Sequence, residues 1–474
     1  MDLEKMICSV RATIREAMIC INENCKGIVF IEDENSRLTG IMTDGDIRRL
    51  LIDGCGMDDI ARNHMVTEFI YATVHDNPKD IARKFDRDIK IIPIVDDDMR
   101  PVNYAEYNKN MHMALAQPQL TGNEYKYLMD AFLSTWISST GKYVTQFEEN
   151  FSKYCGAKHG VAVSNGTAAL HLALSALGIG KGDEVIVPDI TFAATINAVI
   201  YTGAKPVIVD VEEDSWCMSP DALEKAITPN TKAVIPVHIY GQPCDMGRIR
   251  EIAKKYQLYI VEDCAEAHGA KWNNRRVGSF GIISCFSFYG NKVITTGEGG
   301  MCITDSEELY EKMRILRDHG MSRKKKYYHE VVGFNYRMTN LQAAIGVAQL
   351  ERIDDILDWR LQLEIQYRKR FSLINGVIMQ KADFSDRFKI TWLVSMLVDE
   401  EKRDRVLEVL KENRIDARSF FIPLSEMELY KKYAEECKYS KKISRMGLNL
   451  PTTYEIREKD IETIANLIEA VLTG

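Results

Sequence analysis

Apolar positions change their spacing twice along this chain. Between about residues 121 and 305, short apolar runs recur: "HGVAVS", "DEVIVP", "KPVIVDV", "KAVIPVHIY", "LYIVED", "ISCFSFY" and then "GGMCITD". Most are rich in Val and Ile, the pattern of strands covered on both faces. Helix-length segments such as "GTAALHLALSALG" and "DMGRIREIAKKYQ" separate the early ones. This alternation predicts an α/β architecture, a mostly parallel sheet with helical crossovers on both sides. Past residue 305 the spacing turns helical ("MTNLQAAIGVAQLERIDDILDWRLQLEIQYRKR"). A smaller α+β portion follows, with a strand near "ITWLVSMLV" and a closing helix near "KDIETIANLIEAVL".

The first hundred residues follow another rhythm, an internal repeat at an offset of 64. Val10, Lys26, Ile31, Asp33 and Leu38 line up with Val74, Lys90, Val95, Asp97 and Val102. Each copy predicts a helix, a strand ("KGIVFIED"; "KIIPIVDD"), a turn and a second strand ("RLTGIMT"; "RPVNYAEY"), and two such units would share one core. This part resembles a tandem CBS module. The first copy carries "GIMTDGDIRR", where the resemblance implies nucleotide contacts from Thr43 and Asp46. The second copy has no Thr-x-x-Asp in "VNYAEYNKN". A packing module without ligand is the competing expectation. Residues 105–120, "AEYNKNMHMALAQPQL", are polar and patternless and predict a linker.

Composition narrows the function classes. The chain has 474 residues, 61 basic and 69 acidic side chains and a net charge of −8, which argues against a general nucleic-acid binder. Eleven cysteines without a CxxC pair predict reduced thiols, with neither a disulfide framework nor a metal site. The acidic N-terminus and the absence of a long apolar run predict a cytoplasmic protein that does not cross a membrane.

Candidate chemistry gathers at predicted strand ends, where open α/β sheets hold ligands. "SNGTAAL" follows a strand and opens a helix, so Asn165, Gly166 and Thr167 can offer N–H groups and a hydroxyl to a phosphate; the same residues also make an ordinary helix start. In "VEDCAEAHGA", Asp263 ends an apolar strand and is expected to be partly buried, which calls for a positive partner unless it only caps a helix. Glu266 and His268 follow it and are expected at the same pocket. Lys292 lies in "CFSFYGNKVITTGEGG", between an aromatic segment and a glycine-rich loop, a setting for an amine that attacks an aldehyde. Ser287 precedes it by five residues, placed for a phosphate, and the glycines are expected to let backbone approach a bound ring. Phe192 in "PDITFAATINAV" is either core or a ring-stacking group. Taken jointly, these features predict a pyridoxal phosphate (PLP) pocket.

Residues from about 118 to 474 resemble PLP-dependent nucleotide-sugar aminotransferases of aspartate-aminotransferase fold type I. The segments carrying the likeness are "TGNEYKYLMDAFLSTWISSTGKYVTQFEENF", "SNGTAALHLALSALGIGKGDEVIVPDITFAATINAV", "VHIYGQPCDM", "VEDCAEAHGA", "FSFYGNKVITTGEGGM" and "GFNYRMTNLQAAIGVAQLE". "WISSTGKYV", "HIYGQPCDM" and the Glu of "AEAHGA" are most similar to GDP-perosamine synthases. The resemblance implies that Lys292 binds the cofactor covalently and moves protons, while Asp263 holds the pyridinium nitrogen. It implies that Glu266 faces the phenolic oxygen, that Phe192 covers the ring, and that Gly166, Thr167 and Ser287 hold the phosphate. It further implies a homodimer in which Asn335 of a neighbouring copy completes the phosphate site, with Arg337 nearby. Arg323 and Lys326 of "SRKKKYY" would meet the diphosphate of a sugar nucleotide, or form a solvated loop.

The implied reaction moves an amino group from L-glutamate to a keto-sugar nucleotide, with GDP-4-keto-6-deoxymannose giving GDP-perosamine. Another 3- or 4-keto-6-deoxy sugar nucleotide is the nearer alternative, and a nucleotide-sensing CBS protein with a non-catalytic scaffold the more distant one. Ser419 and Ile422 depart from the related enzymes, which carry proline and an aromatic there. The expected organisation is a regulatory module with linker over 1–112 and an aminotransferase over 113–474, divided into a large domain at about 118–360 and a small one at about 361–474.

Overall fold

A computed structural model describes residues 3–76, 80–81, 84–85, 89–106 and 113–474. The chain divides into two compact units, Met1–Met111 and His112–Gly474.

In the first unit, β1 (Ile7–Ser9), β2 (Ile28–Glu32) and β3 (Leu38–Thr43) form one sheet, and β4 (Ala72–Thr73), β5 (Ile91–Val95) and β6 (Pro101–Glu106) another. In both, the first pair is parallel and the second antiparallel. Ile28, Phe30 and Leu38 of one copy share a buried cluster with Ile91 and Val95 of the other. The offset is not constant, however. Cys8 pairs with Ile31 and Ala72 with Ile94, so 64 residues separate the first strands but 63 the second. Consequently Asp96, not Asp97, repeats the turn made by Asp33: Asp33 accepts from Asn35 and Arg37 N–H, and Asp96 from Asp98 and Arg100 N–H. Much of the helix predicted for the second copy lies outside the described residues.

Thr43 and Asp46 form a capping box on the helix Asp44–Ile52. Thr43 Oγ1 accepts from Asp46 N–H (3.2 Å), and Asp46 Oδ2 accepts from Thr43 N–H (2.8 Å) and Thr43 Oγ1–H (2.7 Å). Capping therefore uses the polar atoms that the sequence offered to a nucleotide. Thr43→Ala is expected to cost the first unit about 1 kcal/mol, read as a lower denaturant midpoint of that unit.

The second unit is built on a seven-stranded sheet. In chain order its strands are β7 (His159–Val163), β8 (Glu184–Pro188), β9 (Lys205–Val209), β10 (Thr231–Val234) and β11 (Tyr259–Asp263); after the short ribbon β12 (Lys271–Trp272) and β13 (Arg275–Arg276) come β14 (Ile283–Ser287) and β15 (Gly300–Thr304). Their spatial order is β7-β15-β14-β11-β10-β8-β9, with β15 antiparallel to both neighbours and every other pair parallel. Side chains alternate between two apolar clusters: Ile186, Val234, Ile260 and Phe286 enter one, while Val185, Val187, Ala233, Val261 and Cys285 enter the other. Both faces are buried, which explains why these strands read as continuous apolar runs.

A four-stranded sheet of β16 (Ile378–Met379), β18 (Val394–Leu397), β19 (Arg418–Ser419) and β20 (Gly447–Leu450) packs under the helix Glu458–Thr473, while β17 (Arg387–Phe388) joins the β12–β13 ribbon. The helix Ile353–Phe371 runs unbroken through the expected boundary near 360. Ile353 and Ile356 belong to the large core, Leu363 and Tyr367 to the small one. The linker expected at 105–120 is shorter than its composition suggested. Residues 105–106 end β6, 107–112 lie outside the described residues, and Met113 already pairs with the small sheet's surroundings through Arg414 and Asp416. Among the described residues no helix is long and apolar enough to cross a membrane.

Candidate active site

A cavity of about 790 Å³ opens at the carboxyl ends of the central strands. The switch in strand order, with β9 on one side of β8 and β10 on the other, puts it where loops diverge. Asn165, Gly166, Thr167, Phe192, Asp263, Glu266, Ser287 and Lys292 all line it.

Asp263 ends β11, the fourth of seven strands, so it is fully buried at mid-sheet rather than partly buried. Thr195 Oγ1–H donates to its Oδ2 (2.8 Å) and Ala265 N–H to its Oδ1 (3.1 Å). Burial raises its pKa, the mark of a carboxylate short of positive charge. Glu262 points to the other side of the strand. Gly278, Phe280 and Gly281 N–H groups, Ser284 Oγ–H and His238 Nε2 surround it, and they lower its pKa against the effect of burial.

Lys292 follows the turn after β14. Its N–H donates to Tyr289 O (2.9 Å), and its side chain is 12% exposed. Nζ lies 4.0 Å over the Trp392 ring and 3.6 Å from Glu266 Oε1. Glu266 Oε2 accepts from Tyr240 N–H (2.9 Å), and burial lifts the Glu266 pKa to about 7. A folded-state pKa above the unfolded one means that the folded protein binds the proton more tightly. This group's contribution to stability is then full below pH 4.5 and is lost as pH rises to about 7. Glu266→Gln is expected to remove this slope, on the order of 3 kcal/mol, in denaturant titrations of cofactor-free protein.

The helix Gly166–Ala176 opens beside β14. Asn165 caps it by accepting from Ala168 N–H (2.8 Å), which leaves the first N–H groups of the helix facing the cavity. A Cβ on Gly166 would come within 2.8 Å of Ser287 Cβ, so the two walls of the nest touch only because no side chain stands there. Gly300 has a related role: a Cβ on it would meet Asn165 O at 2.4 Å. Gly300, the last glycine of "TGEGG", thus admits β15 against the nest, a contact the sequence had not suggested when it offered these glycines to a ring.

Other expectations fare differently. Phe192 is not core. It is 61% exposed at the cavity wall, its ring 6.0 Å from that of Phe421. His268 lies behind the cavity rather than in it, packed among Phe151, Phe286 and Phe288, and burial pushes its pKa down to about 3. Asn335, Arg337, Arg323 and Lys326 do not line the cavity of a single chain. Arg337 pairs with Asp318 and bonds Asn335 Oδ1 (3.2 Å), Arg323 pairs with Glu311, and Lys326 lies over Tyr327.

Sequence reasoning missed Trp392, Tyr240 and Thr195. Trp392 comes from the small domain and has no local motif. Tyr240 adopts a left-handed backbone (φ 50°), which no residue type announced. Thr195, three residues after Phe192, had a signal in the polar positions of "PDITFAATINAV".

The donor set fits PLP: N–H groups and hydroxyls for a phosphate, a buried acid lacking a cation, and a sheltered primary amine. The comparisons agree with this chemistry. The sequence profile of the DegT/DnrJ/EryC1/StrS aminotransferase family matches residues 118–469, and that of the CBS domain residues 3–53. The GDP-perosamine synthase of Caulobacter vibrioides is 43% identical over 364 residues, 76% of this chain and 98% of that protein. The GDP-perosamine synthase of Vibrio cholerae is 43% identical over 359 residues, 74% and 97% respectively. Among solved structures, Spr1654 of Streptococcus pneumoniae, described as a sugar aminotransferase, superposes in its PLP form with a TM-score of 0.73 at 27% identity, covering 76% of this chain and 99% of that one. The chain belongs to the DegT/DnrJ/EryC1/StrS aminotransferase family, as a PLP-dependent sugar aminotransferase that also carries a CBS domain.

Proposed function

We propose that this aminotransferase moves the amino group of L-glutamate onto GDP-4-keto-6-deoxymannose, forming GDP-perosamine. The observation that carries the substrate is the 43% identity to perosamine synthases along nearly their whole length. Glu266, the acid that distinguishes "AEAHGA", stands at the cavity wall beside Lys292.

When bound, PLP supplies an aldehyde that takes up the donor's nitrogen and a ring that accepts the electron pair freed at the α-carbon. The protein's residues do the rest. Lys292 Nζ would hold the cofactor covalently in the resting enzyme; once displaced by the donor's amine, it would carry the proton from the donor's Cα to the cofactor's reactive carbon, and in the second half-reaction carry a proton from that carbon to the sugar carbon. Asp263, held by Thr195 and Ala265, keeps a proton on the ring nitrogen. Gly166, Thr167 and Ser287 bind the phosphate, and Phe192 covers the ring. Glu266 would face the phenolic oxygen.

We further infer a homodimer with shared sites. Asn335 and Arg337 from a second copy would reach the phosphate, and Arg323 and Lys326 the sugar nucleotide's diphosphate. The absence of these four residues from the single-chain cavity is consistent with that reading. Phe132, Leu133, Trp136 and Ile137 offer exposed apolar surface for the contact. The N-terminal module would regulate turnover through a nucleotide at the Thr43–Asp46 end of its first copy. Ser419 lines the cavity while Ile422 is exposed, so only the first of these departures can touch a substrate directly.

The test incubates enzyme, PLP and glutamate with a panel of GDP-, UDP- and dTDP-linked 3- and 4-keto sugars, and identifies products by mass and NMR. GDP-perosamine as the main product is expected. Preferential amination of a 3-keto sugar or of a UDP sugar overturns the assignment while leaving the aminotransferase intact.

A further inference from the structure

The segment that follows the helix Asp44–Ile52 lies just past the matched CBS region and leads to the second copy. Backbone bonds pin it: Ile14 N–H donates to Asp59 O and Arg15 N–H to Met57 O (both 2.9 Å), while Ala61 N–H donates to Ala12 O (2.8 Å). On this frame three side chains of different chemistry converge. The ligating atoms of Cys55, Asp59 and His64 all lie within 4.8 Å of one another. Cys55 Sγ is 3.9 Å from His64 Nδ1 and 3.8 Å from Nε2. Gly56 N–H donates to Asp59 Oδ2 (2.8 Å) and so orients the carboxylate.

A thiol–imidazole hydrogen bond would account for the Cys55–His64 contact and the Gly56–Asp59 turn for the carboxylate's orientation, but neither accounts for three different ligand types meeting within 4.8 Å. A metal ion accounts for all three. Zinc holds a thiolate at about 2.3 Å and an imidazole nitrogen at about 2.0 Å, which at the tetrahedral angle sets sulfur and nitrogen about 3.5 Å apart. The observed separations exceed that by a few tenths of an ångström, and because Sγ is nearly equidistant from both ring nitrogens, a turn of the imidazole would aim one of them at the ion. One sulfur, one nitrogen and one oxygen donor suit a borderline ion such as zinc and are poor for magnesium or calcium. The other His–Glu–Cys group, His238, Glu262 and Cys264, differs because five donors already surround its carboxylate. No sequence motif announced the first group, whose cysteine and histidine are nine residues apart.

We propose that Cys55, Asp59 and His64 form a site for one zinc-class divalent ion, with the fourth position open to solvent or a further ligand. The ion would cross-link the connection between the two copies of the first unit.

The test uses the full-length holoenzyme, stripped with a chelator, incubated with zinc chloride and desalted, with zinc counted by mass spectrometry and affinity measured against a chromophoric chelator. About one zinc per chain is expected in the native protein and in Cys25→Ser, which removes an exposed cysteine outside the group. Cys55→Ser and His64→Gln should retain little zinc, and Asp59→Asn should bind at least about tenfold more weakly. Far-UV circular dichroism checks folding, and if one variant fails it, the other decides. No zinc retained by the native protein, or equal retention by Cys55→Ser and His64→Gln, overturns the site.

Discussion

Lys292→Ala is expected to lower the turnover number for amino transfer by on the order of 10³-fold or more, while the chain still folds and PLP still binds. The size follows from what the amine's surroundings leave it to do. Nζ is sheltered over Trp392 and 3.6 Å from Glu266, and no other primary amine lines the cavity among the described residues. A proton taken from the donor's α-carbon therefore has no second lysine of the same chain to visit, and Lys326 of a second copy is assigned to the diphosphate. Loss of that carrier accounts for about 10²–10⁴-fold, and loss of the covalent resting state adds to it. Added methylamine should restore part of the rate, because a small diffusible amine can enter the space the side chain vacates. The measurement is 2-oxoglutarate release under steady state, with and without added amine. A rate within tenfold of the native enzyme would remove Lys292 from its assigned place.

How much of this was legible beforehand depends on how local the signal is. The seven strands of the large sheet were, because a strand buried on both faces must be apolar along its length. Asp263, Ser287 and Lys292 were, because each sits at or just after a strand end that could be counted from the sequence. The repeat was found but its register was not: one residue is lost between the first strand and the second, as the strand pairing and the turn chemistry of Asp33 and Asp96 both show. Thr43 and Asp46 were read for a ligand, and their spacing also fits the capping box that they form in the structure. Trp392 was invisible because its place depends on how the small domain packs, which no short window encodes. Asn335, Arg337, Arg323 and Lys326 belong to a different kind of gap. Their proposed work lies across a subunit boundary, so neither one chain's sequence nor one chain's fold can bring them to the cavity.

Asp263→Asn separates chemistry from architecture. The carboxylate is buried, accepts from Thr195 and Ala265, and has its pKa raised by desolvation, so in the cofactor-free protein its charge is a burden. For an acid whose folded-state pKa is raised, that burden is greatest above the folded pKa, so a neutral amide of the same shape should leave the apo protein at pH 8 no less stable than the native one. Thr195 can turn its hydroxyl to accept from the new amide, and Ala265 N–H still finds an oxygen. Activity should behave oppositely. An amide cannot hold a proton on the ring nitrogen by charge, and kcat should fall on the order of 10²–10³-fold, the loss typical of one preorganised electrostatic contact. The native protein should also gain more thermal stability from added PLP than the variant does, since only the native pocket has a charge waiting to be paired. Melting curves with and without PLP, alongside turnover, test both halves. A variant that is destabilised without cofactor yet fully active with it would make Asp263 a structural acid, and the pairing drawn for it would be wrong.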